Sequence, residues 1–221
     1  MATTNVNKPR GFVPTRYLNG ASWNGQMSLY GFSASDSVDA YIYDVCNFDS
    51  TNRTAALTDQ YYPALPFVGV VASDITTAAQ RGVVVGFIPQ PDFNMSVSAS
   101  LGLKYRVAST ARYAWVVDDP FVIYESQEDT STYTSTSSNG LNKVVGTLYT
   151  AGNTTTGMSK SVLKAASVVT NALRPFRLYR YLPTINNFGW VAADTPTYAR
   201  WEIFATNSDL FGSAIMTQEG V

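Results

Sequence analysis

Short β-prone runs, broken by glycine, proline and aspartate at close intervals, set the strongest limit on what this chain can fold into. Within 40–45, Tyr41, Tyr43 and Val45 alternate to one side. Residues 67–71 and 83–88 are β-branched runs interrupted by Gly69 and Gly86. Runs at 104–108, 112–117 and 121–125 follow, the last two separated by Asp118-Asp119-Pro120. Further runs lie at 144–149, 176–181 and 198–206. Many short strands with regular turn signals indicate an antiparallel β-sandwich or barrel rather than βαβ units. A length of 221 residues suits one large all-β domain or two small ones, and no linker divides the chain. The sequence therefore predicts a mainly-β fold, with one domain over 36–221.

Residues 1–35 follow no clean period. Pro9, Gly11, Pro14, Gly20 and Gly25 stand among Phe12, Tyr17, Leu18 and Trp23. That density of proline and glycine opposes a helix. The apolar content is too high for a solvated tail, so the segment is expected to be an extended N-terminal arm with its large side chains docked in pockets. Arg10, Phe12, Pro14, Arg16, Tyr17, Leu18 and Trp23 are its candidate partner-binding residues.

Two stretches are polar and low in complexity, 129–140 (DTSTYTSTSSNG) and 150–159 (TAGNTTTGMS), and are expected to be surface loops. Between the second and Pro175 a single short helix is predicted over 159–173. Ser159 would be its N-cap, and Val162, Leu163, Ala166 and Val169 would share one face.

Composition removes several chemistries. The chain has no histidine and one cysteine, Cys46. No Ser-His-Asp or Cys-His arrangement, His-containing zinc site or thiolate cage can be assembled from these residues. One cysteine makes no internal disulfide, and in AYIYDVCNF it reads as a small core residue. Charged residues make up only 14% and the net charge is −1, so the basic footprint of a nucleic-acid binder is missing. Tyr, Thr, Ser and Asn provide the polarity instead. Such a surface dehydrates at low cost and suits the centre of a protein interface. The opening MATTNVNKPRGF has no apolar core of a signal peptide, and no stretch approaches 18 apolar residues, so neither export nor a membrane span is expected. No cofactor is expected either.

Ser161-Val162-Leu163-Lys164 matches S-x-x-K, which on a helix sets a hydroxyl and an amine one turn apart. The companion S-D-N and K-T-G elements of penicillin-recognising enzymes are absent, and a solvated face is the simpler reading. Asp118 and Asp119 suit a hard cation only if a turn converges them; an Asp-capped turn before Pro120 is the alternative. Glu125, Glu128 and Asp129 read as a solvated strand end. No phosphate-cradling glycine loop occurs. Tyr41, Tyr43, Tyr61, Tyr62, Tyr179, Tyr181 and Trp201 suit core filling, sugar stacking or interface anchoring. In 174–181 simple alternation sends Phe176, Leu178 and Arg180 one way and Arg177, Tyr179 and Tyr181 the other.

Four stretches together resemble small structural proteins of tailed bacteriophages. RGFVPTRYLNGASWNGQ (10–26) is similar to their Gly-Phe-x-Pro-x-Arg opening through Gly11, Phe12, Pro14, Arg16, Gly20, Asn24 and Gly25. GVVVGF (82–87) resembles a central strand, and YAWVVDDPFVIYESQED (113–129) resembles a strand pair around DDP. Residues 174–206 resemble a C-terminal strand pair. The resemblance implies a capsid decoration, or cement, protein with a jelly-roll-like sandwich. It would bind the outer surface of an HK97-like shell, made in the host cytoplasm, and clamp neighbouring major capsid protein subunits. It would act as a non-enzymatic homo-oligomer, a dimer or trimer, with no nucleic acid or membrane partner. A tail or head–tail connector component, a carbohydrate-binding β-sandwich module and a Ser-Lys hydrolase are the competing readings.

Overall fold

Most of the β-prone runs pair as the pattern predicts. The computed structural model describes residues 6–49, 65–70, 79–88, 104–129, 143–170, 173–182 and 198–208. Within them lie eleven strands. They are β1 Val13–Tyr17, β2 Ser28–Phe32, β3 Val45–Phe48, β4 Val68–Val70, β5 Gly82–Phe87 and β6 Arg112–Val117. The rest are β7 Val122–Gln127, β8 Val144–Leu148, β9 Val162–Val169, β10 Phe176–Tyr181 and β11 Arg200–Ala205. The strands form two antiparallel sheets, one of six in the order β1-β7-β11-β10-β8-β9 and one of five in the order β2-β6-β5-β3-β4. The protein is mainly β, and no helix occurs among the described residues.

One apolar core joins the two sheets. Val122, Tyr124, Val145, Leu163, Phe176, Leu178, Trp201 and Ile203 of the six-stranded sheet pack with Val45, Val83 and Val117 of the other. The opposite face of the five-stranded sheet carries a second core that includes Tyr30, Phe32, Cys46, Val84 and Val116. Period-2 alternation explains both sets: Val45, Val83 and Val117 face one core, and their neighbours Cys46, Val84 and Val116 face the other.

Each sheet curls back on itself, β2 towards β4 in one and β7 towards β9 in the other. Gly31 of β2 bridges Phe67 beside β4, and the Gly31 N–H donates to Pro66 O at 3.0 Å. Glu128, just past β7, bridges Leu163 of β9, and the Asp129 N–H donates to Leu163 O at 2.9 Å. Closure of this kind leaves few open edges. β1 stays outside the second ring, and the chain folds back to cover it: the Tyr17 N–H donates to Ala21 O and the Trp23 N–H to Thr15 O.

Two expectations are corrected. The segment predicted as a helix over 159–173 contains β9, paired with β8 from Val144↔Val169 to Leu148↔Val162. Ala166, placed on the apolar helix face, is exposed, and Ser167 is buried. The β-branched Val162, Val168 and Val169 favour the pleat, and long-range pairing with β8 decides the state. Of the arm expected over 1–35, the described residues 6–35 are not separate from the domain, because β1 is a strand of one sheet and β2 a strand of the other. The polar stretch at 130–140, Tyr61 and Tyr62 lie outside the described residues.

Arg106 holds the lid of the second core. Its side chain is wholly buried; Nε donates to Thr110 O, Nη1 to Val38 O, and Nη2 to both Ser33 O and Asp36 O. The guanidinium also lies 3.3 Å from Asp36 Oδ2 and stacks over Phe32. One rigid fork therefore satisfies four carbonyls of the 33–40 and 104–110 loops. Replacing Arg106 with Met strands those acceptors and the Asp36 carboxylate. The expected loss is about 3–5 kcal/mol, read from urea unfolding followed by circular dichroism.

Candidate partner-binding surface

The N-terminal segment divides into a buried half and an outward half. Gly11 has φ +74°, and a Cβ there would lie 2.4 Å from Tyr43 O and 2.7 Å from Ser159 Cβ. Only glycine fits both the conformation and the space. Beyond it Phe12 is fully buried and stacks on Phe176 with centroids 5.1 Å apart. Pro14 is buried too, opposite Tyr124 of β7. Phe12 and Pro14, expected to face a partner, are consumed by the chain's own core.

The other five candidates reach the surface. Tyr17, Leu18 and Trp23 are half-buried around the turn after β1, where the Leu18 N–H donates to Phe121 O at 2.8 Å. The Tyr17 hydroxyl donates to Asn24 Oδ1. Phe121, in the β6–β7 turn, is 50% exposed, and Met27 is 42% exposed just ahead of β2. Tyr17 and Trp23 pack back against the core, and Leu18 with the exposed Phe121 forms an apolar tip where the two turns meet. The Asp118-Asp119-Pro120 turn supports it. Asp119 Oδ1 accepts the Phe121 N–H, and Asp118 accepts the hydroxyls of Ser28 and Tyr30. The two aspartates thus cap a turn and tie down β2. Among the described residues no cluster of three or more acids or thiols could hold a metal.

Arg10 and Arg16 belong to a charged network on the outer face of the six-stranded sheet. Arg16 and Arg180 both bind Glu202, with closest approaches of 2.7 and 2.9 Å. Arg10 and Arg200 both bind Glu125, at 3.0 and 3.1 Å. The Arg16 guanidinium also lies over the Tyr179 ring. Burial works to raise the Glu202 pKa, but hydrogen bonds from the two arginines outweigh it and hold the carboxyl below its ordinary value. A bulge between Leu178 and Arg180 sends both Tyr179 and Arg180 outward, while Tyr181 turns in against Trp201. The simple alternation expected over 174–181 therefore fails after Leu178.

The buried polar groups serve the fold. Ser161 donates to Asp44 Oδ1 at 2.8 Å, and Ser159 donates to the same oxygen. The Tyr41 N–H reaches the other Asp44 oxygen. Burial outweighs these bonds and pushes the Asp44 pKa up to about 6. On a strand, positions three apart face opposite ways, so the Ser161 hydroxyl and the Lys164 amine do not converge as they would on a helix. Glu128, expected at a solvated strand end, is buried where β7 meets β9. It accepts the Trp201 Nε1–H at 3.1 Å and the Ala199 N–H at 3.3 Å. No local pattern marks it, because its burial depends on closure of the sheet.

No family model, no curated protein and no solved structure matches the chain. No helix among the described residues is long and apolar enough to cross a membrane.

Burial pushes the Glu128 pKa up to about 8 from an ordinary 4.5, against hydrogen bonds that lower it. A raised acid pKa means the folded state binds the proton more tightly than the unfolded chain does. The stabilisation is complete below pH 4.5 and declines as pH rises towards 8. Glu128→Gln cannot titrate, so whatever its absolute stability, its Tm should fall less over that range. The gap between variant and parent should shift by roughly 4 °C or more between pH 5 and pH 8 in thermal melts.

Proposed function

We infer that this chain is a non-enzymatic structural protein of a tailed-phage virion, which binds the outer surface of a capsid and cements neighbouring major capsid subunits. The apolar tip at Leu18 and Phe121 carries the reading. It sets an exposed Phe121 beside a half-buried Leu18 on a charge-poor chain, and is built from two of the stretches that resemble the phage proteins. The arrangement of those stretches adds support. β1, β7, β11 and β10, which carry three of the four, are consecutive neighbours in one sheet, while β5, the fourth, pairs with β6. The nested pairing β1·β7, β2·β6 and β3·β5 fits a jelly-roll-like winding.

In this reading the tip seats in a pocket of the shell, where each lost contact re-exposes apolar area at about 25 cal/mol per Å². Many copies on a symmetric lattice, each a dimer or trimer, add avidity. Neither nucleic acid nor membrane takes part.

The test is co-sedimentation of the purified chain with decoration-free shells of the encoding phage. Wild-type chain should pellet at saturating, symmetric occupancy. Leu18→Ser/Phe121→Ser, which changes only half-buried or exposed side chains, should lower the affinity at least tenfold without loss of the folded circular dichroism spectrum. Wild-type chain that stays in the supernatant, or a variant that binds equally well, refutes the reading.

A further inference from the structure

Among the described residues, the outer face of the six-stranded sheet carries an excess of positive charge that the chain as a whole lacks. Glu125 of β7 and Glu202 of β11 stand directly opposite each other in the ladder. Like charges at such a position repel. Four guanidiniums surround them, and each carboxylate is shared by two: Arg10 and Arg200 on Glu125, Arg16 and Arg180 on Glu202. Among the described residues, four arginines thus accompany two glutamates, in a protein whose net charge is −1.

Glu202 is withdrawn, Glu125 is as accessible as Arg16 and Arg200, and the two end cations stand out most. The Glu202 side chain is 7% exposed, whereas Arg10 and Arg180 are 51% and 57% exposed. Arg10 spends one Nη2 donor on Glu125, and Arg180 spends Nε and Nη2 on Glu202. Both keep further N–H donors directed at solvent, from guanidiniums already held in place by their first carboxylates. Pre-ordered forks of this kind match carboxylates in two-point fashion and lose little entropy on binding. Arg10 precedes β1 and Arg180 lies on β10, three strands away in the sheet.

We propose that this face is a docking surface for an acidic protein segment, two of whose carboxylates bind the outer forks of Arg10 and Arg180. A second copy of the chain is the wrong occupant, because two such faces, each with four arginines to two glutamates, would set like charge against like. A nucleic-acid backbone is disfavoured as well. Its continuous phosphates would run across Glu125, and no lysine-rich track extends the patch. The inference rests on this face alone and holds whether or not the chain belongs to a virion.

The test uses the full chain with fluorescent poly-glutamate as probe, against single-stranded and duplex DNA of matched charge. Anisotropy is measured at low and at physiological salt. Poly-glutamate should bind more tightly than either DNA and weaken as salt rises. Arg10→Ser/Arg180→Ser should weaken it at least tenfold, while Lys160→Ser, an exposed cation elsewhere, should leave it unchanged. Folding of all three proteins is checked by their melting curves. No binding of poly-glutamate, equal loss with Lys160→Ser, an unaffected double variant, or tighter binding of DNA overturns the proposal.

Discussion

The fold depends on the seating of Phe12. This residue enters the core from the N-terminal side and stacks on Phe176 of β10, with Tyr124 of β7 edge-on to the same ring. Its N–H donates to Tyr43 O, and the Tyr43 N–H donates in turn to Val84 O. Behind it the Asp44 carboxylate gathers the hydroxyls of Ser159 and Ser161. Segments more than a hundred residues apart in sequence therefore meet at one point. Full burial of a phenylalanine side chain contributes roughly 1.5–3 kcal/mol. Here it also aligns β1 along β7, from Val13↔Glu125 to Tyr17↔Val122. Without that alignment Arg10 and Arg16 would not reach Glu125 and Glu202, and Leu18 would not meet Phe121.

Both candidate contact regions follow from this alignment. The apolar tip exists because the turn after β1 lies against the turn between β6 and β7. The arginine face exists because β1 brings two cations beside a sheet that already carries Glu125, Glu202, Arg180 and Arg200. Among the described residues, curling of both sheets covers strand edges, which leaves side chains rather than backbone as the candidate contact groups. Arginine and aromatic groups, the types favoured where protein surfaces bind each other, occupy those positions.

Much of the strand pattern was legible in the sequence, because alternation and turn residues are local signals. β6 and β10 span the predicted 112–117 and 176–181. The misses share a physical origin in non-local pairing. β9 shows a helical spacing through Val162, Leu163, Ala166 and Val169, and only β8 makes it a strand. β1 is hidden by Pro14, which sits in a strand that pairs on one side with β7 and so tolerates a missing donor. The apolar content of the first 35 residues signals burial, but it does not reveal that the pocket lies in the same chain. The burial of Glu128 and the bulge after Leu178 depend on sheet closure and register, which no single segment encodes.

Native-state hydrogen exchange at the N-terminal segment tests this account most directly. The Phe12 and Tyr17 amides, bonded to Tyr43 O and Ala21 O, should exchange as slowly as those of β7 and β11, through global unfolding. Phe12→Ala should speed exchange across the whole molecule. Rapid exchange at Phe12 and Tyr17, with β7, β10 and β11 fully protected, would contradict the account and restore a detachable arm.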